Sequence, residues 1–153
     1  MPAGPAGDTL GAVVTADCNL RCSYCFQDRK QTLHMSWPTM SAAIEVLLAS
    51  RRRRASLSFL GGEPLLRFPL IARAVRRVDR RQGPRRRIQY VLTTNGLLLT
   101  ERRLAFLARH RFDVQISFDG VARAQDVPAP GSFAILDRLF DRLGLPVIGV
   151  PIV

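Results

Sequence analysis

Short apolar runs alternate with amphipathic stretches along the whole chain, and that order leaves few folds open. Leu10–Thr15 (LGAVVT), Ser56–Leu60 (SLSFL), Ile88–Thr93 (IQYVLT), Val114–Phe118 (VQISF) and Val147–Val153 (VIGVPIV) read as strands. Four helical patterns separate them. In the first, Ser36 suits the cap, Pro38 the first turn, and Met40, Ile44, Leu47 and Leu48 one apolar face. The second runs near Pro69–Arg81, with Leu70, Ile71, Ala74, Val75 and Val78 inward and Gly83-Pro84 as its stop. Thr100 caps the third, which turns Leu104, Leu107 and Ala108 inward. Gly131-Ser132 opens the fourth, with Ile135, Leu139 and Leu143 in register and Gly144 at its end. Strands alternating with helices imply parallel pairing through right-handed crossovers, an α/β fold. No linker divides the pattern, so residues 9–153 read as one domain behind a loose segment at 1–8.

In such a sheet the loops after the strands gather on one rim, where ligands bind. The first of these loops holds all three cysteines, Cys18, Cys22 and Cys25. After the second strand comes Gly61-Gly62-Glu63-Pro64, after the third Thr94-Asn95-Gly96, and after the fourth Asp119-Gly120. A glycine turn alone is ordinary punctuation; four polar loops converging with three thiols are more than that. Structural zinc takes four protein ligands, and the nearest histidine, His34, lies nine residues beyond Cys25. Iron–sulfur clusters ordinarily take four cysteines. Three thiolates leave one iron open, which is useful only where a substrate or cofactor binds it.

Cys18-x-x-x-Cys22-x-x-Cys25, with Tyr24 before the last cysteine, resembles the signature of the radical S-adenosylmethionine (radical SAM) enzymes. The wording TADCNLRCSYCFQ is most similar to the branch that matures peptides and proteins, including anaerobic sulfatase-maturating enzymes and relatives with a SPASM extension. The GGEP, TNG and Ser117-Phe118-Asp119-Gly120 segments resemble that family's motifs in the same order, over residues 10 to 153. The resemblance implies a partial parallel (β/α) barrel, here about five strands and four helices. The family's barrel usually has six strands, so the chain is expected to be incomplete at its C-terminus, lacking a later strand and a C-terminal domain. Val147–Val153 would then stand as an uncovered strand.

The resemblance further implies a 4Fe-4S cluster on Cys18, Cys22 and Cys25, with S-adenosylmethionine on the open iron. Reductive cleavage would give a 5′-deoxyadenosyl radical that takes a hydrogen from a peptide or protein substrate. Gly61, Gly62 and Glu63 would lie beside the methionine amino group, and Asn95 in the neighbouring loop would join the cofactor site. Ser117 would face the ribose and Tyr24 the adenine. Asp119 would reach the ribose or stabilise its own turn. An electron donor such as flavodoxin or ferredoxin is implied; no catalytic base is assigned.

Charge bears on the rival readings. The net charge is +11, and every basic residue but Lys30 is arginine. Arg51–Arg54, Arg76, Arg77, Arg80, Arg81 and Arg85–Arg87 fall at helix ends and the connections into the next strand, the rim opposite the cysteines. Cations there complement helix dipoles, and few aromatics accompany them, so nucleic acid is not the expected partner. A zinc-bearing nucleic-acid module and a non-catalytic iron–sulfur scaffold fragment remain the alternatives. No apolar run reaches the ~18 residues of a membrane span, and the start has no signal-peptide pattern, so a cytoplasmic protein is expected.

Overall fold

The structure, a computed structural model, describes residues 8–22, 24–25, 31–50, 52–83, 87–126 and 130–143. Four strands, β1 (Asp8–Thr15), β2 (Arg54–Gly61), β3 (Arg87–Thr94) and β4 (Asp113–Ile116), pair in parallel in the order of the chain. Asp8, grouped by sequence with the loose start, already pairs with Ala55. The helices are α1 (Trp37–Ala49), α2 (Phe68–Arg81), α3 (Glu101–Arg109), a one-turn α4 (Ala122–Gln125) and α5 (Ser132–Leu143), with a 3-10 turn at Pro64–Arg67 before α2. The expected fifth strand, 147–153, lies outside the described residues.

Period-two patterning decides which face of the sheet is covered. Ala12 and Val14 on β1, Ala55, Leu57 and Phe59 on β2, and Ile88, Tyr90 and Leu92 on β3 are buried on one face. Met40, Ile44 and Leu47 of α1 and Ile71, Ala74, Val75 and Val78 of α2 join them in one cluster. Burying a side chain of the Val, Leu or Ile size is worth roughly 1.5–3 kcal/mol, so this layer carries most of the fold. Ser36 caps α1 by accepting from Thr39 N, and Thr100 caps α3 by accepting from Arg103 N. Glu45 of α1 ties that helix to α2 by accepting from Arg77 and Arg81, each at 2.7 Å, which holds its carboxyl below the usual range. The other face carries Thr9, Gly11, Val13, Ser56, Ser58, Gln89, Thr93 and Gln115, all at least partly exposed.

Three expectations need correction at the later elements. β4 ends at Ile116 rather than Phe118; the Ser117 N–H still donates to Thr94 O, while Phe118 turns to stack on Phe133. In α5 the inward face is Leu136, Leu139 and Phe140, whereas Ile135 and Leu143 are exposed. Ser132 is the reason: it is buried at the helix start, bonded to Gln125 of α4, which fixes the helix one residue round from the expected phase. In α3 Leu107 is buried but Ala108 is exposed, because the aromatic Phe106 supplies the neighbouring contact, against Phe68.

Candidate functional site at the carboxyl rim

All three cysteines are half-buried thiols, and all line one cleft of about 460 Å³ at the carboxyl ends of the strands. Gly61, Gly62, Asn95, Ser117 and Tyr24 line the same cleft. Val13, Leu20, Leu60, Thr93 and Thr94 complete the wall and were not singled out from sequence. Thr94 could have been, as the first residue of the TNG segment. The others are strand and loop residues whose inward direction only the register reveals.

The loop after β1 is fixed by main-chain bonds that continue the sheet. Gly62 N donates to Thr15 O at 2.9 Å and Glu63 N to Asp17 O at 2.8 Å. Gly61 has φ +150°, and a Cβ on either glycine would fall on a backbone carbonyl, Thr15 O for Gly61 and Asp17 O for Gly62. The paired glycines therefore let β2 close against the residues that lead into Cys18. On the other side of β1, Ala16 N and the Thr15 hydroxyl both reach Leu33 O, and Thr15 Oγ1 lies 2.8 Å from His34 Nδ1. Cys18 N donates to Asp17 Oδ1, Leu20 N points at Cys18 Sγ from 3.4 Å, and Cys25 N donates to Cys22 O.

Glu63 sits behind the cleft. It is fully buried and does not line the cleft. Its Oε1 accepts from Leu65 N and the Thr94 hydroxyl, and its Oε2 from Asn95 N at 2.8 Å. Burial pushes its carboxyl above the usual range, against the opposing pull of these donors and of Arg103. Glu63 thus joins the loop after β2 to the loop after β3. Asn95, held from behind, extends its amide to Asn19 Oδ1 at 2.9 Å, with Cys18 Sγ 3.9 Å away. Asp119 has a similar outcome: it lies outside the cleft wall and accepts a 2.8 Å bond from Tyr24, 95 positions earlier in the chain. Burial and the Asp119 carboxylate raise the Tyr24 hydroxyl above its ordinary range, which keeps it a donor. The Tyr24–Asp119 pair ties the cysteine loop to the loop after β4 at the edge of the cleft.

The donor set fits an iron–sulfur cluster. Among the described residues no three His, Cys, Asp or Glu side chains converge as they would around a single ion. Cys18, Cys22 and Cys25 all open onto one cleft, as the thiolate ligands of one cluster would. None of the described helices is long and apolar enough to cross a membrane.

Residues 12–142 match the model of the radical SAM superfamily, and the chain belongs to that family. It is 36% identical over 164 aligned residues to GTP 3',8-cyclase 2 of Mycobacterium tuberculosis, covering 96% of this chain and 41% of the relative. It is 28% identical over 114 residues to the cysteine-type anaerobic sulfatase-maturating enzyme of Clostridium perfringens, covering 69% and 31%. Among solved structures, native anSMEcpe with bound AdoMet and Kp18Cys peptide superposes with a TM-score of 0.80 at 24% identity, covering 92% of this chain and 42% of that one. The chain thus spans less than half the length of these relatives. Members of the family are enzymes that use a 4Fe-4S cluster and S-adenosylmethionine.

Proposed function

We propose that this chain is the cluster- and cofactor-binding part of a radical SAM enzyme that modifies a peptide or protein. The observation that carries this reading is the sharing of one cleft by Cys18, Cys22, Cys25, Gly61, Gly62 and Ser117. Cys18, Cys22 and Cys25 hold the 4Fe-4S cluster. Gly61, Gly62, Asn95, Ser117 and Tyr24 bound the space for S-adenosylmethionine. Glu63 and Asp119 act one step back, Glu63 by fixing Asn95 and Asp119 by fixing Tyr24. When bound there, the cluster and S-adenosylmethionine would together supply radical hydrogen-abstraction chemistry. The residues of this chain contribute position and shelter from water.

A peptide substrate is supported by the wording of the cysteine loop and by the likeness of fold to the peptide-bound anSMEcpe structure. The second reading, cyclisation of a nucleotide, is favoured by the higher identity to the mycobacterial GTP 3',8-cyclase 2. Cleavage assays on the reconstituted protein separate them. A cysteine- or serine-containing peptide should stimulate release of 5′-deoxyadenosine, and GTP should not; stimulation by GTP alone would select the nucleotide reading.

A further inference from the structure

A second concavity lies at the other end of the sheet. The two clefts share no lining residue: on β3 Arg87–Tyr90 belong to this one and Thr93 and Thr94 to the cysteine cleft, about 10 Å further along at ~3.3 Å per residue. The second concavity has a volume of about 260 Å³, below the range usual for drug-sized ligands. Arg87 from the start of β3 and Arg109 and Arg111 from the end of α3 line it, with His110 between them.

These arginines differ from others in the chain that have identified duties. Arg77 and Arg81 bond Glu45, Arg103 bonds Leu98 O, and Arg73 lies over the Trp37 ring. Arg87, Arg109 and Arg111 make no ion pair among the described residues. Among the described residues, the one carboxylate lining the cleft, Asp79, is occupied. It accepts from the Tyr90 hydroxyl at 2.6 Å and the Gln82 amide at 3.0 Å, and its other oxygen lies 2.7 Å from His110 Nδ1. The end of the α3 dipole explains a cation at Arg109. It does not explain Arg87, which opens a strand, or Arg111, which lies past the helix cap.

Arg111 is the telling residue. Its φ is +54°, the only positive value at a non-glycine residue among those described. It occupies the position after the helix cap, its N–H donating to Ala108 O, where glycine is the favoured choice. Its carbonyl accepts from the Gln89 amide at 3.1 Å, so the conformation is held by the neighbouring strand. Glycine would take this backbone without cost; the arginine there is strained and puts its side chain on the cleft wall.

We propose that this cleft binds a phosphate-bearing small molecule, through the guanidinium groups of Arg87, Arg109 and Arg111. Three unspent forked donors suit the three oxygens of a phosphate monoester, and the volume suits such a group with a small organic portion. The site stands independently of the radical chemistry.

The test follows melting temperature with inorganic phosphate and with glycerol phosphate, against chloride at matched ionic strength. Wild-type protein should show a saturable rise with both phosphates and none with chloride. Arg111→Gly should melt higher than wild type without ligand, because the strain is gone, yet bind phosphate at least about tenfold more weakly. Arg109→Gln should weaken binding to a similar degree without the gain in stability. A wild-type phosphate constant in either variant, or an equal response to chloride, overturns the proposal. So does binding of a single-stranded oligonucleotide without binding of either phosphate, which would make the face a nucleic-acid surface.

Discussion

The two rims of this sheet are built from opposite materials. At the carboxyl rim, the frame behind the cleft is buried and internal: Glu63 serves Leu65, Thr94 and Asn95, and the glycine pair meets the backbone of Thr15 and Asp17. At the amino rim, charge is plentiful and much of it is unspent, as at Arg54, Arg87, Arg109 and Arg111. The difference teaches where shape is enforced. A loop that must hold three thiols around one space needs a rigid frame, and hydrogen bonds shielded from water supply it. A face that meets anions needs accessible cations and tolerates motion between them.

Substitutions can break this contrast, the most severe first. Gly62→Val places its Cβ on Asp17 O, one residue from Cys18. It should destabilise the protein by about 3 kcal/mol or more, a backbone collision being among the costliest single changes. Cluster content and cofactor affinity should fall together. Thermal melting and iron analysis check this; a variant with full iron and weakened S-adenosylmethionine binding alone would show that Gly62 serves the cofactor rather than the frame.

Glu63→Gln comes next. Its amide cannot accept from Asn95 N and Leu65 N–H as two carboxylate oxygens do, so a buried donor loses its partner, at a cost of roughly 1–3 kcal/mol. Cofactor affinity should fall about tenfold while iron content stays near wild type. The same residue sets a pH dependence. Its folded carboxyl titrates above its unfolded value, so its contribution is complete below the unfolded range and is lost as pH rises through the raised one. Wild-type stability should decline across that window relative to Glu63→Gln, as chemical denaturation at a series of pH values would report. A parallel pair of curves would remove Glu63 as the cause.

Tyr24→Phe should have the smallest effect at this rim. It deletes one bond to Asp119 near the surface, worth about 0.5–1.5 kcal/mol, and leaves the ring in place. Cofactor exchange should speed up modestly with little change in melting. An unaltered exchange rate would mean that the pair does not restrict the cleft.

How much of this was legible in the sequence varied with what fixes each feature. Capping at Ser36 and Thr100, the buried faces of α1 and α2, and the alternation of strands with helices follow from local chemistry and periodicity, so they were readable. The phase of α5 was not, because it depends on Ser132 meeting Gln125 across a turn. The gathering of the cysteines with Gly61, Gly62, Asn95, Ser117 and Tyr24 followed from the rim rule for parallel sheets. What the side chains of Glu63 and Asp119 do there did not, since a motif names residues without saying which way they point. The strained Arg111 carries no sequence mark at all; only its backbone sets it apart from the other arginines.

The central claim is that Cys18, Cys22 and Cys25 act as one ligand set, with S-adenosylmethionine bound beside them. Anaerobic reconstitution followed by iron analysis and electron paramagnetic resonance of the reduced protein tests it most directly. The account predicts about four irons per chain, a resonance that shifts when S-adenosylmethionine is added, and loss of most iron on replacing any one cysteine with alanine. A single alanine variant with full iron and an unchanged spectrum, or a wild-type resonance indifferent to S-adenosylmethionine, would contradict it.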